Sequence, residues 1–421
     1  MKRLSIALTM LVLTAVVTPA VAMGQSATFG QEEASGQAYA GTHVSFDTDE
    51  RAVTDYAVRG ETMLDSVAVQ SESTVENGGL VDAGASLSAV TQIEGAGLSL
   101  AAESETEARV EAEGSATITA HDNGRGVLVV AAGNQSDYVV ANVSDGANAS
   151  AETDSQVEVT TENGTTGTFI VVGEGNATVN DEGDVTAHLG EDGRLVFRSY
   201  PDGKDDGDEK QEDLIAEGDA KAEAYVMAEN ASESGEETEN ESEQVVVDTV
   251  SYGENTTVET AETAEGEVTL TVNRTTHEGT VLVTSVSEKA LNASEDLEVA
   301  VDGEAAVEAE TYTQLKSAVG SDQSRYVVES AGSASADASA DVLVAVNHFS
   351  ERTVSMQSAS DEQTTEESQT TDESSDETTQ AGMDDETTSD GDDGSSGSTP
   401  GFTATASVVA LLAAALFTRL R

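Results

Sequence analysis

The sequence predicts an all-β protein of two or three sandwich-like units, on three observations. Apolar and polar residues alternate with a period of two: Leu98 and Leu100, Ala116, Ile118 and Ala120, Val157 and Val159, and Val268, Leu270 and Val272 each stand between polar neighbours, as on a strand with one face buried. Dense β-branched runs recur at Val127 to Val130, Phe169 to Val172, Val245 to Val247, Val281 to Val283 and Val342 to Val346. Between such segments lie Asn123-Gly124, Asn163-Gly164, Asp192-Gly193 and Asp302-Gly303, dipeptides that tolerate the positive φ of tight hairpins.

The chain starts with Met1-Lys2-Arg3, an apolar stretch from Leu4 to Val17 and Ala20-Val21-Ala22, the three parts of a secretory signal peptide over residues 1–22. An uncleaved N-terminal anchor is the alternative, and the small residues before position 23 argue for cleavage.

The body that follows is expected to divide into a divergent β unit at 23–133 and two related β units at 134–230 and 231–350. A shift of 112 residues places Gly167-Thr168 on Gly279-Thr280, Val171 on Val283, Asn180 on Asn292, Asp184 on Asp296, Tyr200 on Tyr312 and Glu217 on Glu329. Units of about 100 residues suit β-sandwiches better than propeller blades or solenoid coils. A continuous β-roll is the alternative, because many inward positions are Ala and Val and such a core packs thinly. Tyr200 and Tyr312, matched by the shift, are read as core residues.

Charge narrows the setting. The 421 residues carry 81 Asp plus Glu against 18 Lys plus Arg, a formal charge of −63, with no Cys and no Trp. Such a balance fits either disorder or a fold adapted to very high salt, and the β-branched runs argue for the fold. In about molar salt the Debye length is roughly 3 Å, which screens repulsion between exposed carboxylates. The source therefore reads as a halophile. Nucleic acid is disfavoured as a partner, since phosphate binding needs Lys and Arg, and without cysteine there is no disulfide framework or thiolate chemistry.

From 355 to 399 the alternation stops and Ser, Thr, Asp, Glu and Gly take over, the composition of a disordered stalk that cannot bury enough apolar surface to offset its chain entropy. After it come Pro400-Gly401-Phe402, an uncharged stretch to Thr418, and then Arg419 and Arg421. As a helix the residues from Phe402 to Thr418 reach roughly 25 Å, the short limit for a bilayer core. The arginines mark the cytoplasmic side. The tripeptide, short apolar segment, basic tail and preceding acidic Ser/Thr run together resemble the sorting signal of haloarchaeal PGF-CTERM surface glycoproteins. The tail Thr418-Arg419-Leu420-Arg421 departs from an unbroken basic cluster. The resemblance covers about the last 60 residues and implies recognition of Pro400, Gly401 and Phe402 by an archaeosortase, removal of the transmembrane helix and replacement by a lipid anchor. An ordinary single-span anchor is the alternative.

Ten of the fourteen asparagines stand in Asn-x-Ser/Thr: Asn134, Asn142, Asn148, Asn163, Asn176, Asn230, Asn240, Asn255, Asn273 and Asn292. With Ser and Thr filling roughly a fifth of the chain, chance would place about three there. They are expected to be glycosylation acceptors, although Asn-Gly-Thr and Asn-Ala-Ser also make good turns. Asp202, Asp206, Asp208 and Asp213 approach the spacing of a calcium loop with Gly207 beside them. Lys204 occupies a position that calls for a carboxylate, so a solvated acidic loop is the preferred reading and the four are weak metal candidates. Enzyme signatures are missing: there is no Gly-x-Ser-x-Gly, His-Glu-x-x-His or Gly-Lys-Ser/Thr, and His43, His121, His188, His277 and His348 are isolated. No catalytic residue and no cofactor is expected. The function expected is that of an anchored structural or adhesive surface protein that meets envelope proteins or glycans. An anchored solute- or cation-binding protein is the alternative, and an exported hydrolase a more distant one.

Overall fold

Where the apolar runs fall decides the layering. The computed structural model describes residues 37–77, 86–112, 114–230, 243–253, 255–264, 266–276, 278–291, 297–330, 339–347 and 351–358. Fifteen strands come first: β1 (Ala38–Ala40), β2 (Val44–Thr48), β3 (Val53–Val58), β4 (Glu61–Ser71), β5 (Leu98–Glu103), β6 (Glu107–Ala112), β7 (Thr117–His121), β8 (Leu128–Ala131), β9 (Asp137–Val143), β10 (Asn148–Ala151), β11 (Gln156–Thr160), β12 (Thr166–Val172), β13 (Gly175–Val179), β14 (Val185–Leu189) and β15 (Arg194–Tyr200). A short helix, α1 (Glu72–Asn77), follows β4. Sheet 1 has the order β1-β2-β3-β4-β9-β14-β13 and sheet 2 the order β10-β11-β12-β15-β8-β7-β6-β5. Their facing sides share one core, in which Tyr56, Leu64 and Val139 of sheet 1 meet Ile118, Phe169 and Phe197 of sheet 2.

The helix α2 (Asp206–Ala216) leads into a second group: β16 (Ala220–Asn230), β17 (Glu243–Ser251), β18 (Thr256–Ala264), β19 (Glu267–Arg274), β20 (Thr280–Ser287), α3 (Glu288–Leu291), β21 (Leu297–Val301), β22 (Glu304–Ala305), β23 (Val307–Glu308), α4 (Tyr312–Ala318), β24 (Arg325–Ser330), β25 (Ser339–Val346) and β26 (Glu351–Ser358). Sheet 3 runs β17-β16-β20-β25-β24-β23 and sheet 4 runs β18-β19-β26-β21-β22. Val226, Leu282 and Val344 of sheet 3 pack on Leu270, Val299 and Met356 of sheet 4.

A third core joins the two sandwiches. Val129, Ile170 and Val196 on the outer side of sheet 2 meet Leu214 and Ile215 of α2, Leu315 of α4, and Tyr225, Val283 and Leu343 of sheet 3. Sheets 2 and 3 are thus covered on both sides, so their central strands are apolar at consecutive positions, whereas β19 in the outer sheet 4 alternates. This is the physical origin of the runs at 127–130, 169–172, 281–283 and 342–346. At the Asp302-Gly303 turn both residues take the positive φ that a tight hairpin needs, 54° and 78°, and β21 pairs directly with β22 across it.

Three expected boundaries move. Residues on either side of 133/134 share both sheets of the first sandwich, since β4 pairs with β9 and β8 with β15. The sandwich therefore spans 38–200, because sheets are closed by strands distant in sequence and a local pattern does not carry that pairing. The boundary expected at 230/231 lies earlier, because β16 sits inside sheet 3 between β17 and β20, parallel to the latter. The stretch expected as a stalk from 355 starts instead as strand, since β26 runs through Ser358 and its Val354 and Met356 are fully buried. Both sandwiches belong to one unit ending at Asp361. The expected signal peptide, the rest of the expected stalk and the segment 400–421 lie outside the described residues. Among the described residues no helix is long and apolar enough to cross a membrane.

Candidate functional site

Two features stand out against the fold: the surface asparagines and a buried ionic seam between the sandwiches. Of the acceptor candidates, Asn134, Asn148, Asn163, Asn176, Asn255 and Asn273 are exposed. They sit in the turn before β9, on the terminal strands β10 and β13, in the β11–β12 turn, and at the adjoining ends of β18 and β19. Asn142 differs. It lies in β9 between β4 and β14, half-buried, where its Oδ1 accepts from the Ser66 hydroxyl at 3.2 Å and its Nδ2 donates to Asp184 at 3.2 Å. An amide held on both sides within a sheet is a poor acceptor in the folded protein. Asn230 ends β16, while its side chain, Asn240 and Asn292 lie outside the described residues.

The calcium-like stretch folds as a helix start. Asp205 caps α2, accepting from the backbone N–H of Gly207 at 2.8 Å and of Asp208 at 3.0 Å, while the Asp208 carboxylate accepts from the Asp205 N–H at 3.0 Å. This reciprocal capping box satisfies N–H groups that a helix leaves unpaired, and it puts acidic residues at the positive end of the helix dipole. The four aspartates do not converge: Asp202 pairs with Arg59 at 2.8 Å, Asp208 turns inward to Arg125, Asp213 lies 3.4 Å from Gln156 Nε2, and Asp206 opens the helix. Among the described residues no group of three or more His, Asp or Glu side chains is placed to hold a metal.

The seam was not anticipated. Arg198 lies on β15 facing away from the first core, only 1% exposed. Its guanidinium donates to Gln211 Oε1 of α2 at 3.0 Å and lies 3.3 Å from the Glu223 carboxylate of β16. Arg125, in the β7–β8 loop, bridges Asp208 at 2.7 Å and Asp341 of β25 at 2.9 Å. Lys204 reaches Glu212 at 2.9 Å and Glu158 at 3.1 Å. The three cations surround the ring of Tyr200, 4.9 to 5.8 Å from its centroid, and the Tyr200 hydroxyl donates to Glu212 at 2.5 Å. A second link ties His121 Nδ1 and Asn123 Nδ2 to Asp248 of β17 at 3.1 and 2.7 Å.

Burial and the facing charges compete to set the protonation states. For Asp341 burial favours the neutral acid, but Arg125 and Gln211 outweigh it and hold the carboxyl below its ordinary range. Asp208, facing the same arginine, stays above its ordinary value because burial wins there. Burial disfavours charge on His121, yet Asp248 more than compensates and raises it. Burial, joined by Glu223, raises the hydroxyls of Tyr225 and Tyr252 and keeps them neutral.

The signal for this seam was present as charge inside apolar strands: Arg198 after Phe197, Asp248 after Val247, Asp341 before Val342 and Glu223 between alanines. Which of them meet depends on the packing of sheet 2 on sheet 3. The shared Thr-Ala-His context of His121 and His188 places both at strand ends, but in different sheets. His121 joins the seam, whereas His188 packs at a tilt against the Tyr138 ring, 4.9 Å between centroids, and lies 3.4 Å from Glu72. His277 and His348 lie outside the described residues. Tyr200 is fully buried, while Tyr312 opens α4 half-buried and donates to Glu329 at 2.7 Å.

No known protein-family model matches the chain, and no curated protein matches it.

Proposed function

We propose that this chain is an exported, membrane-anchored, glycosylated cell-surface protein with a structural or adhesive role in a halophile envelope. The observation that carries the reading is the placement of acceptor asparagines: six of the seven whose side chains are described stand exposed on turns and sheet edges of a body with a formal charge of −63. The ionic seam supports a structural role, because it ties two sandwiches into one block through pairs that salt screens poorly. In this reading the Ser/Thr/Asp/Glu stretch up to Thr399 is a spacer. Pro400-Gly401-Phe402 is read by an archaeosortase, and a lipid replaces the apolar helix as the anchor. Envelope proteins or glycans are the partners.

The sandwiches are also proposed to be related copies over part of their length. The 112-residue shift carries β12 onto β20 and β14 onto β21, inner sheet to inner sheet and outer to outer. The correspondence is interrupted between these two pairs, where β13 falls on α3, and it fails again beyond them, with Tyr200 on a strand and Tyr312 on a helix.

The test is mass spectrometry of the native protein. Hexose-bearing peptides at two or more acceptor sites are expected, together with absence of a peptide spanning Val408 to Arg421. Replacing Pro400-Gly401-Phe402 by alanines should leave secretion intact and retain that peptide. Its recovery from the mature wild-type protein identifies a plain transmembrane anchor and overturns the sorting reading; unmodified peptides at every site overturn the glycoprotein reading.

A further inference from the structure

The terminal strands of the four sheets differ in what keeps other strands away. An open edge offers unpaired N–H and C=O groups to any strand that approaches, and proteins blunt such edges with charge, bulges, shortness or a cover. In this fold β5 carries Glu103, a register shift between Leu100 and Ala102, and a Gln37 side chain that accepts from the Leu100 N–H at 3.2 Å. β18 carries Glu259, Glu262 and a register shift beside them. β22 and β23 are two residues long with one glutamate each, and β1 has three residues. β17 is held against the other sandwich through Asp248.

The remaining two edges, β10 (Asn-Ala-Ser-Ala) and β13 (Gly-Asn-Ala-Thr-Val), have neither a charged residue nor a register shift. They close the same rim of the first sandwich, which is covered at the middle of β13, where the outward Ala177 N–H donates to the Asp154 carbonyl of the β10–β11 turn at 2.9 Å, and is left uncharged along β10 and the ends of β13. Each carries an acceptor sequence on the strand itself, Asn148-Ala149-Ser150 and Asn176-Ala177-Thr178. Ala149 and Ala177 pack on the core side, so by strand alternation Asn148 and Asn176 face outward, and both are exposed.

We propose that N-linked sugar on Asn148 and Asn176 is the steric guard of this rim, preventing edge-to-edge pairing with another copy of the chain. The inference rests on the glycoprotein reading above. Its physical basis is salt: in about molar electrolyte a charge acts over only roughly 3 Å, so the glutamates on the other edges act at contact, through the cost of burying a charge against a paired strand, and no longer-range repulsion protects an edge that lacks one. A sugar acts by volume, which salt does not screen, and even one residue is wider than the approximately 4.8 Å between paired strands.

The experiment uses the full-length chain produced in a halophilic archaeal host and extracted at molar salt. One variant combines Asn148→Gln with Asn176→Gln; a second combines Ser150→Ala with Thr178→Ala, which removes the acceptor sequences but keeps both asparagines. Asn163→Gln, in the β11–β12 turn, is the control. Glycopeptide mass spectrometry reads occupancy, light scattering reads molar mass, and circular dichroism reads the fold. Sugar at both sites in the wild type is expected, with a rise of about tenfold or more in associated species for both double variants at unchanged β signal and none for the control. Occupied sites whose loss leaves the mass unchanged overturn the guard and leave the glycoprotein reading standing, as does sugar found only at other sites. Association equal in the control, or seen only when the asparagines themselves are replaced, also overturns it. Bare asparagines throughout overturn both readings.

Discussion

Arg198 of the first sandwich and Glu223 of the second face each other at 3.3 Å, each 1% exposed. The pair crosses the boundary between the two cores, so it bears on how the sandwiches hold together. Arg198 Nε and Nη1 have no hydrogen-bond partner among the described residues, so its desolvation is incompletely offset.

The first prediction is a double-mutant cycle on this pair. Arg198→Met leaves Glu223 without its cationic partner and should cost about 3–5 kcal/mol, whereas Arg198→Met with Glu223→Met should recover most of that loss, as replacement of a whole buried pair by apolar residues often does. Urea unfolding at constant molar salt measures it. Additive losses in the double variant would show that the pair is not coupled.

His121 and Asp248 give a pH dependence. The histidine is raised by its carboxylate partner despite burial, so the folded state favours the imidazolium. The stabilisation is fully present below the unfolded histidine value of about 6.5 and disappears as pH rises through the higher folded value. Asp248→Asn should remove that part of the stability-versus-pH curve, read by thermal melts from pH 5 to 9. An unchanged alkaline slope counts against the pair.

Asp137 should act in the opposite sense to a salt-bridged carboxylate. Burial pushes it up to about 6, with the Gly133 N–H and His188 pulling the other way. Because the folded value lies above the unfolded one, stability falls as pH rises from about 4 to 6, and the penalty persists above that window. Asp137→Asn should therefore stabilise the protein at pH 7 and change little at pH 3.5. Equal effects at both values would remove the buried carboxylate as the cause.

Salt should separate surface from seam. Exposed carboxylates repel one another when the Debye length lengthens from about 3 Å at 1 M to about 10 Å at 0.1 M, while buried pairs change little. The β signal in circular dichroism should be present at molar salt and lost on dilution. An equally stable fold at about 0.1 M would show that surface repulsion is not the main destabilising force.

Much of the fold was legible because a strand's environment is written in its own few residues. The alternation of Val268, Leu270 and Val272 marks β19 as half-buried, and the Asp302-Gly303 pair marks its turn. The acceptor asparagines were legible as a local motif, but not their standing. Asn142 and Asn148 carry equivalent motifs, yet one side chain is held between Ser66 and Asp184 and the other is exposed. The aspartates from Asp202 to Asp213 fit a metal loop by spacing and fold as a capped helix, because Asp205 and Asp208 cap the helix and Leu214 and Ile215 have a core to enter.

The sequence by itself determined the all-β class, the strands marked by alternation or by β-branched runs, the four turn pairs, the acidic balance and the lack of cysteine, since each depends on composition or on contacts within a few residues. Only the tertiary structure decided which strands share a sheet, where one sandwich ends and the next begins, and that Arg198, Glu223, Arg125 and Asp341 form a buried network. Arg125 and Asp341 stand 216 residues apart. A contact of that kind follows from stacking sheet 2 on sheet 3 around α2, and the burial that makes it strong exists only once the whole chain is packed.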